Sequence, residues 1–519
     1  MTSRLRTALG LFLVFQALYA LTSSGNAFRV PDEFEVYFQA EHFVDAGDLS
    51  VPQTLAIRQP VVVNGQVVGS EPIFFGKVGR DGKPYAPYGP LAAFLILPHH
   101  LLARGLAWVA GVPRSSGIPW TFLVGGFTAL SSTTAAALAV VAFYYAALTA
   151  GAQAADARRW SLLLGGATVL WPYGSTLYAE ASQAAAFTGA AALLLRARVD
   201  PPRASRFVTL AASLLAVAVL TKPTSILFTP GFIVAAAADD EQPFAARARA
   251  ALALTCAVGL AVVIHLAWNA YRFADPLDFG YAWAEMIPRP PVRTFSVADM
   301  PRGLMVLLAS PGKSLFVWAP ALLVSLVAAR QFWTEHRVAA IGVAVSGGLG
   351  LLAFAAYAFP EGGYSNGPRH LVPIVPLLLL PAALSNVKWP RAAIGACAAV
   401  GVVMAVLATT VSFLEDQGLG GDLRAGARTV YYERIDPAPG RPWNRYRLDY
   451  IPFVAALKSD GWSHAATLGQ GPDFFPLHLA QLRRLGPNAA VIPEWLLYVW
   501  PLGWLAVLVA GGTQLVGST

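Results

Sequence analysis

The sequence predicts an all-α polytopic membrane protein, and three observations predict it. Of the 519 residues, 56% are hydrophobic and only 13% charged, where a soluble domain carries roughly a quarter charged residues. Apolar runs of about 18 residues or more recur along most of the chain, the length a helix needs to cross a bilayer. The net charge of +8 gathers in short loops between those runs, a distribution that sets membrane orientation and offers no nucleic-acid surface. Cys256 and Cys397 both fall inside apolar runs, so neither a disulfide framework nor a cysteine metal site is expected. Frequent Ala, Gly and Val within the runs suit helices that pack closely.

The first run, "LRTALGLFLVFQALYALTSSG", follows Arg4 and Arg6, which place the N-terminus in the cytoplasm. Small residues in "LTSSGNAF" would suit cleavage of a signal peptide, but the run is long for a signal core; an uncleaved span over about 5–23 is expected. A polar excursion reaches to about residue 88. Within it Asn64-Gly65, Arg80-Asp81-Gly82 and several prolines mark turns between short strand-like pieces. The next apolar run, 91–111, holds Pro98, His99, His100 and Arg104 in its middle, which is costly in lipid. Basic clusters at Arg158/Arg159, Arg196/Arg198/Arg203/Arg206, Arg247/Arg249, Arg330/Arg337 and Lys388/Arg391 are expected in the cytoplasm.

Those clusters separate expected spans at about 119–149, 161–178, 181–196, 206–221, 223–238, 250–269, 314–329, 337–358, 371–386, 390–412 and 493–512. The set is self-consistent only if 91–111 lies at, or dips into, the outer face; the alternative is an ordinary span with buried polar residues. About twelve spans with both termini cytoplasmic result. The chain then divides into a catalytic membrane region, 1–412, whose first outer loop is 24–118, an extracytoplasmic segment, 413–492, and a last helix with a short tail, 493–519. Segments 270–313 and 359–370 also lie outside. No fixed-period repeat is visible, so the inverted-repeat logic of many transporters finds no support.

Polar groups fall repeatedly at the expected outer ends of spans. Asp32 and Glu33 follow the first span, Glu180 lies in "WPYGSTLYAEAS", and Lys222 lies in "LTKPTS". "HLAWNAYRFADPLDFGY" supplies His265, Asn269, Arg272 and Asp278; "SPGKS" supplies Lys313; "EGGYSNGPRH" supplies Glu361, Arg369 and His370. Each alone reads as a snorkelling or loop charge. Together they suggest a site pairing acids with bases at the membrane surface. Lys222, Lys313, Arg369 and Arg272 would hold a lipid phosphate or diphosphate, arginine through its bidentate fork. Asp32 would deprotonate an acceptor hydroxyl or amine as general base. No P-loop, Rossmann fingerprint, HExxH or DxD occurs, which argues against a nucleotide-dependent mechanism. The helix after Asp32 repeats Phe34, Tyr37, Phe38 and Phe43 at helical spacing, as a helix in the membrane interface does. Glu35, Glu41 and Asp45 are expected to form its wet face, and His99 and His100 a polar patch against lipid headgroups.

The stretch "RVPDEFEVYFQAEHFVDAGDLSVP" resembles the first outer loop of the GT-C glycosyltransferases that use polyprenyl-phosphate sugars. That superfamily includes protein O-mannosyltransferases and the lipid A aminoarabinose transferase. The shared pattern is an acidic motif just after the first span, then a Tyr-containing interfacial helix ending in Gly-Asp. "GRDGKPYAPYGPLAAFLILP", "NAYRFADPLDFGY", "SPGKSLFVWAPALL" and "GPRHLVPIVPLLLLP" are similar to segments of bacterial members. The resemblance covers most of 1–390 and is weak past 413.

The resemblance implies a GT-C-type bundle with periplasmic interfacial helices in the bacterial inner membrane. It implies an enzyme moving a hexosyl or pentosyl group from a polyprenyl-phosphate donor to a lipid, glycan or protein acceptor on the outer face, with inversion. Asp32 corresponds to the catalytic acidic residue, with Glu33 beside it as a support or metal contact. Glu180 takes the place of a second acidic residue near the acceptor or a metal, Lys222 that of a lysine on the donor phosphate, and Arg369 is a looser match. A divalent cation, magnesium or manganese, held by Asp32 and Glu180 is left open, since the motif here is Asp-Glu rather than two aspartates. Two rivals stand beside this reading: a transporter or flippase of lipid-linked saccharides, and an envelope subunit without catalysis.

Overall fold

The computed structural model describes residues 2–25, 31–56, 58–63, 66–72, 76–281, 295–357, 359–360, 362, 365–385, 390–410, 463–464, 469–470, 474–484 and 490–517. The chain is a polytopic membrane protein whose described residues are mostly helical. Among the described residues eight helical stretches are long and apolar enough to cross a bilayer: Ser3–Leu21, Ala92–Val109, Ile118–Thr149, Pro201–Thr221, Phe244–Phe273, Arg337–Ala355, Arg391–Thr410 and Leu496–Val516. Seven of these eight coincide with spans expected from the sequence. The eighth, Ala92–Val109, is the run that loop arithmetic kept out of the membrane; by length and apolarity it qualifies.

The other five expected spans fold as shorter, broken or more polar helices, because Pro, Gly or charge interrupts them. The 161–178 run becomes Ala154–Gly166 and Leu170–Gly174, parted near Gly165-Gly166. The 181–196 run stays one helix, Glu180–Val199, but carries Glu180, Arg196 and Arg198. The 223–238 run starts with a 3-10 turn, Pro223–Leu227, before Thr229–Ala237. The 314–329 run is split at Pro320 into Leu315–Trp318 and Leu322–Glu335. The 371–386 run begins as a 3-10 turn, Arg369–Ile374, and continues as Val375–Ala383.

In chain order, α1 is Ser3–Leu21, α2 Pro31–Ala46, α3 Ala92–Val109, α4 Ile118–Thr128 and α5 Leu130–Thr149. Further along, α6 is Ala154–Gly166, α7 Leu170–Gly174, α8 Glu180–Val199, α9 Ala204–Thr221, α10 Thr229–Ala237 and α11 Phe244–Phe273. Among the described residues the strands form three small antiparallel pairs; Arg58–Val63 pairs with Gln66–Pro72, with an irregularity between Val61 and Val62. Lys77–Val78 pairs with Pro84–Tyr85 in the loop between α2 and α3, and the third joins Ser463–His464 to Gly469–Gln470. Most of 413–492, the expected cap, lies outside the described residues.

The largest core runs between α1, α5, α6, α8, α9 and α11, with Phe143, Tyr144, Phe187 and Phe228 fully buried. Leu496–Val516 lies against α1, and a Cβ on Gly511 would sit 2.8 Å from Val14 N, so glycine is what permits the close approach. A second core covers α2, α3 and α4 with Phe475, Leu479 and Trp500. It holds α2 firmly, and this corrects the expectation of a wet face: Glu35 and Glu41 are buried, and Tyr37 donates to Glu41 at 3.3 Å. Asp45 alone stays at the surface, paired with Arg104 and Arg114. His100 is likewise buried, against Thr128 at 3.3 Å, rather than facing headgroups. Amphipathic spacing identified the apolar face of α2, but a helix clamped between other elements buries its polar side too.

Candidate functional site

Four element ends bring the charged residues together. In α2, Pro31 takes the first helical position and Asp32 and Glu33 fill the first turn; proline is preset for that position and carboxylates favour it. Glu180 opens α8 in the same manner. Lys222 directly precedes Pro223, which forces an extended backbone there and ends α9. Arg369 begins the 3-10 turn after "SNGP", where Gly367 has φ +57° and closes against the Trp318 ring.

Glu180 is the centre of the arrangement. Its Oε1 accepts from Lys222 Nζ at 2.6 Å and from Arg369 Nε at 2.8 Å. The far side of the same guanidinium donates from Nη2 to Asp32 Oδ1 at 2.6 Å. The Tyr178 ring lies under it, 4.3 Å from Arg369 Cζ. Two cations and two carboxylates therefore form one chain, Lys222–Glu180–Arg369–Asp32, of net charge zero. The side chain of Glu180 is 1% exposed, that of Asp32 17%. That difference decides the roles open to each: Glu180 is a buried counter-ion, while Asp32 is the carboxylate a ligand can reach.

Lys313 is placed to hold the loop carrying Arg369, its Nζ donating to the Ser365 carbonyl. Tyr173 supports that loop from below, donating to Asn366 O at 2.9 Å, and Trp318 ties it to the lysine loop by donating to Gly312 O at 2.8 Å. Glu33 is fully buried beside Asp32. Arg272 belongs to a separate cluster. It donates to Ala86 O at 2.5 Å and Asn269 Oδ1 at 2.8 Å, and packs over Trp268 and Phe273. Its own carbonyl accepts from Arg80 N at 2.8 Å. Arg272 thus pins the first outer loop onto the end of α11. His265 ties α11 to α9, its Nε2 lying 3.0 Å from Val219 O.

That loop reaches the charged chain through its "APYGP" turn. Gly89 N donates to Thr221 O, and a Cβ on Gly89 would stand 1.9 Å from Leu220 O; only glycine fits there. The preceding residue, Tyr88, is buried with a hydroxyl that makes no hydrogen bond among the described residues. Burial, then the charges of Asp32 and Glu35, push its phenol well above the ordinary range, so it stays a neutral donor beside Asp32. Sequence reading missed Tyr88 and Tyr178, since a tyrosine in a hydrophobic chain carries no signal of its own. Glu361 falls outside the described residues.

The position between Asp32 and Glu180 that the sequence offers for a divalent cation is filled by the Arg369 guanidinium. Among the described residues no group of three His, Cys, Asp or Glu side chains is placed to hold a metal. The donor set present suits an anion contacting Arg369 and Lys222 better than it suits a cation.

Fold and site together define a polytopic helical membrane protein with an acid–base chain buried at one end of its bundle. No protein-family model matches the chain, and no curated protein matches it. Among solved structures it is similar to the crystal structure of ArnT from Cupriavidus metallidurans in the apo state, at 15% sequence identity and a TM-score of 0.43, covering 98% of this chain and 76% of that one. A likeness of that degree assigns no residue a role.

Proposed function

We propose that the chain is an integral-membrane glycosyltransferase of the GT-C type. It transfers a sugar from a polyprenyl-phosphate donor to a lipid, glycan or protein acceptor on the outer face of the inner membrane. The observation that carries the reading is the bridge of Arg369 between the reachable Asp32 and the buried Glu180. A donor phosphate entering the site competes with Asp32 for Arg369 Nη2, because both are anions suited to the same fork. Its binding releases the Asp32 carboxylate from its ion pair. The freed carboxylate takes the proton of the acceptor hydroxyl or amine as that group attacks the anomeric carbon. The bond from that carbon to the phosphate oxygen breaks in the same inverting displacement. Arg369 and Lys222 stabilise the charge left on the departing lipid phosphate, and Glu180 keeps both cations ionised inside the protein. No step runs through a metal ion.

The test uses purified protein in liposomes, a labelled polyprenyl-phosphate sugar and crude envelope acceptors. Wild type is expected to release free polyprenyl phosphate, and Asp32→Asn to lower that release by about 10²–10⁴-fold, the usual share of a general base. Full release by Asp32→Asn at normal expression removes Asp32 from the chemistry. Movement of intact donor between leaflets, with no cleavage in either protein, makes the chain a flippase instead.

A further inference from the structure

A cavity of about 140 Å³ lies at the end of the bundle opposite the charged chain. Its walls include Leu194, Leu195, Val208, Phe232, Val343 and Leu377. Glu180 opens α8, and Leu194 and Leu195 come fourteen and fifteen residues later on the same helix; at 1.5 Å per residue the two sites are on the order of 20 Å apart. Most of the lining residues are half-buried rather than sealed from outside. An apolar cavity of this size stays dry and accepts hydrocarbon; a comparable engineered one takes benzene.

The charged residues at the cavity indicate which hydrocarbon. Arg198 is neutralised there, pairing with Asp239 at 2.9 Å and Glu241 at 2.7 Å. Arg247 also lines the cavity; it packs on Phe244 of its own helix and has no carboxylate partner among the described residues. Three of the basic clusters expected on the cytoplasmic side meet here, through Arg198, Arg247 and Val338 next to Arg337. Within a bilayer, exchanging one hydrocarbon contact for another brings little gain, so the headgroup decides the occupant. We propose that the cavity is a lipid site, which seats part of an acyl chain of an anionic phospholipid of the cytoplasmic leaflet with its phosphate on Arg247. The site stands apart from the transfer chemistry and does not depend on it.

Native mass spectrometry of the detergent-solubilised full chain tests this, with phosphatidylglycerol or phosphatidylcholine added. Wild type is expected to retain one phosphatidylglycerol, about fivefold in preference to phosphatidylcholine, as one arginine near an anionic headgroup provides. Arg247→Ala should remove the preference, whereas Arg249→Ala, exposed on the same helix and outside the lining, should keep it. Ala339→Leu, which fills the cavity, should lower retention of both lipids; if that variant does not fold, the two arginine variants decide. Equal retention of both lipids by wild type overturns the proposal, and so does a preference lost equally in both arginine variants, which marks an unspecific basic surface.

Discussion

The two ends of the bundle use the same residue types and do opposite things with them. At one end Lys222, Arg369, Glu180 and Asp32 are drawn into a single chain with Glu180 almost wholly buried. At the other, pairs such as Arg159 with Asp156, 3.0 Å apart, stand with both side chains well exposed. Exposed pairs orient a membrane protein and add little energy. Buried ones are costly to assemble and costlier to break, because removing one partner strands a charge. The difference separates a site from a surface.

That contrast yields its own tests. Glu180→Gln should destabilise the fold most, by about 3–5 kcal/mol, since it leaves Lys222 and Arg369 without their shared counter-ion; thermal unfolding in detergent measures it. A loss under about 1 kcal/mol would mean that water or the acceptor path already solvates the chain. Arg369→Lys comes next, at about 1.5–3 kcal/mol, because an ammonium cannot reach both carboxylates as the fork does. It should also release Asp32 and weaken donor binding, read as a raised KM.

Tyr88→Phe sharpens the comparison from the other side. Its hydroxyl has no partner among the described residues, so stability should change by less than about 0.5 kcal/mol, while kcat/KM falls if the hydroxyl meets substrate. Unchanged kinetics would confine Tyr88 to packing. Arg159→Ala should likewise stay below about 0.5 kcal/mol.

A pH dependence tests the loop around Asp48 and Lys83 separately. Burial would raise the Asp48 carboxyl, but hydrogen bonds from Lys83 and Ser50 outweigh it and hold the carboxyl down at about 2. A lowered folded-state value stabilises the loop above the unfolded value near about 3.9 and the gain is lost as pH falls toward 2. Hydrogen-exchange protection of the loop around Asp48 and Lys83 should therefore be level from pH 7 to about 5 and fall below about 4. Asp48→Asn should flatten that profile.

Much of this was legible in the residues themselves, for identifiable reasons. Apolar run length is written residue by residue, so seven helices long and apolar enough to cross a bilayer stand where the runs lie. Asp32, Glu180, Lys222 and Arg369 each announce themselves as charges at span ends, and the structure joins them. The errors share one cause. The wet face assigned to Glu35 and Glu41, the headgroup contact assigned to His100 and the grouping of Arg272 with the other cations all required knowing which neighbours would pack there. Proline and glycine breaks also turn four expected spans into shorter or interrupted helices, because run length counts apolarity and not backbone continuity.

The amino-acid sequence by itself determined that this is a helical membrane protein with charges set at the ends of its spans, because hydropathy and helix-end preferences are local properties. Only the tertiary structure decided that one guanidinium grips both Asp32 and Glu180, that Lys313 braces a loop and Arg272 another, and that Tyr88 keeps a free hydroxyl among the described residues. Those are relations between residues up to 337 positions apart, and no local preference encodes them.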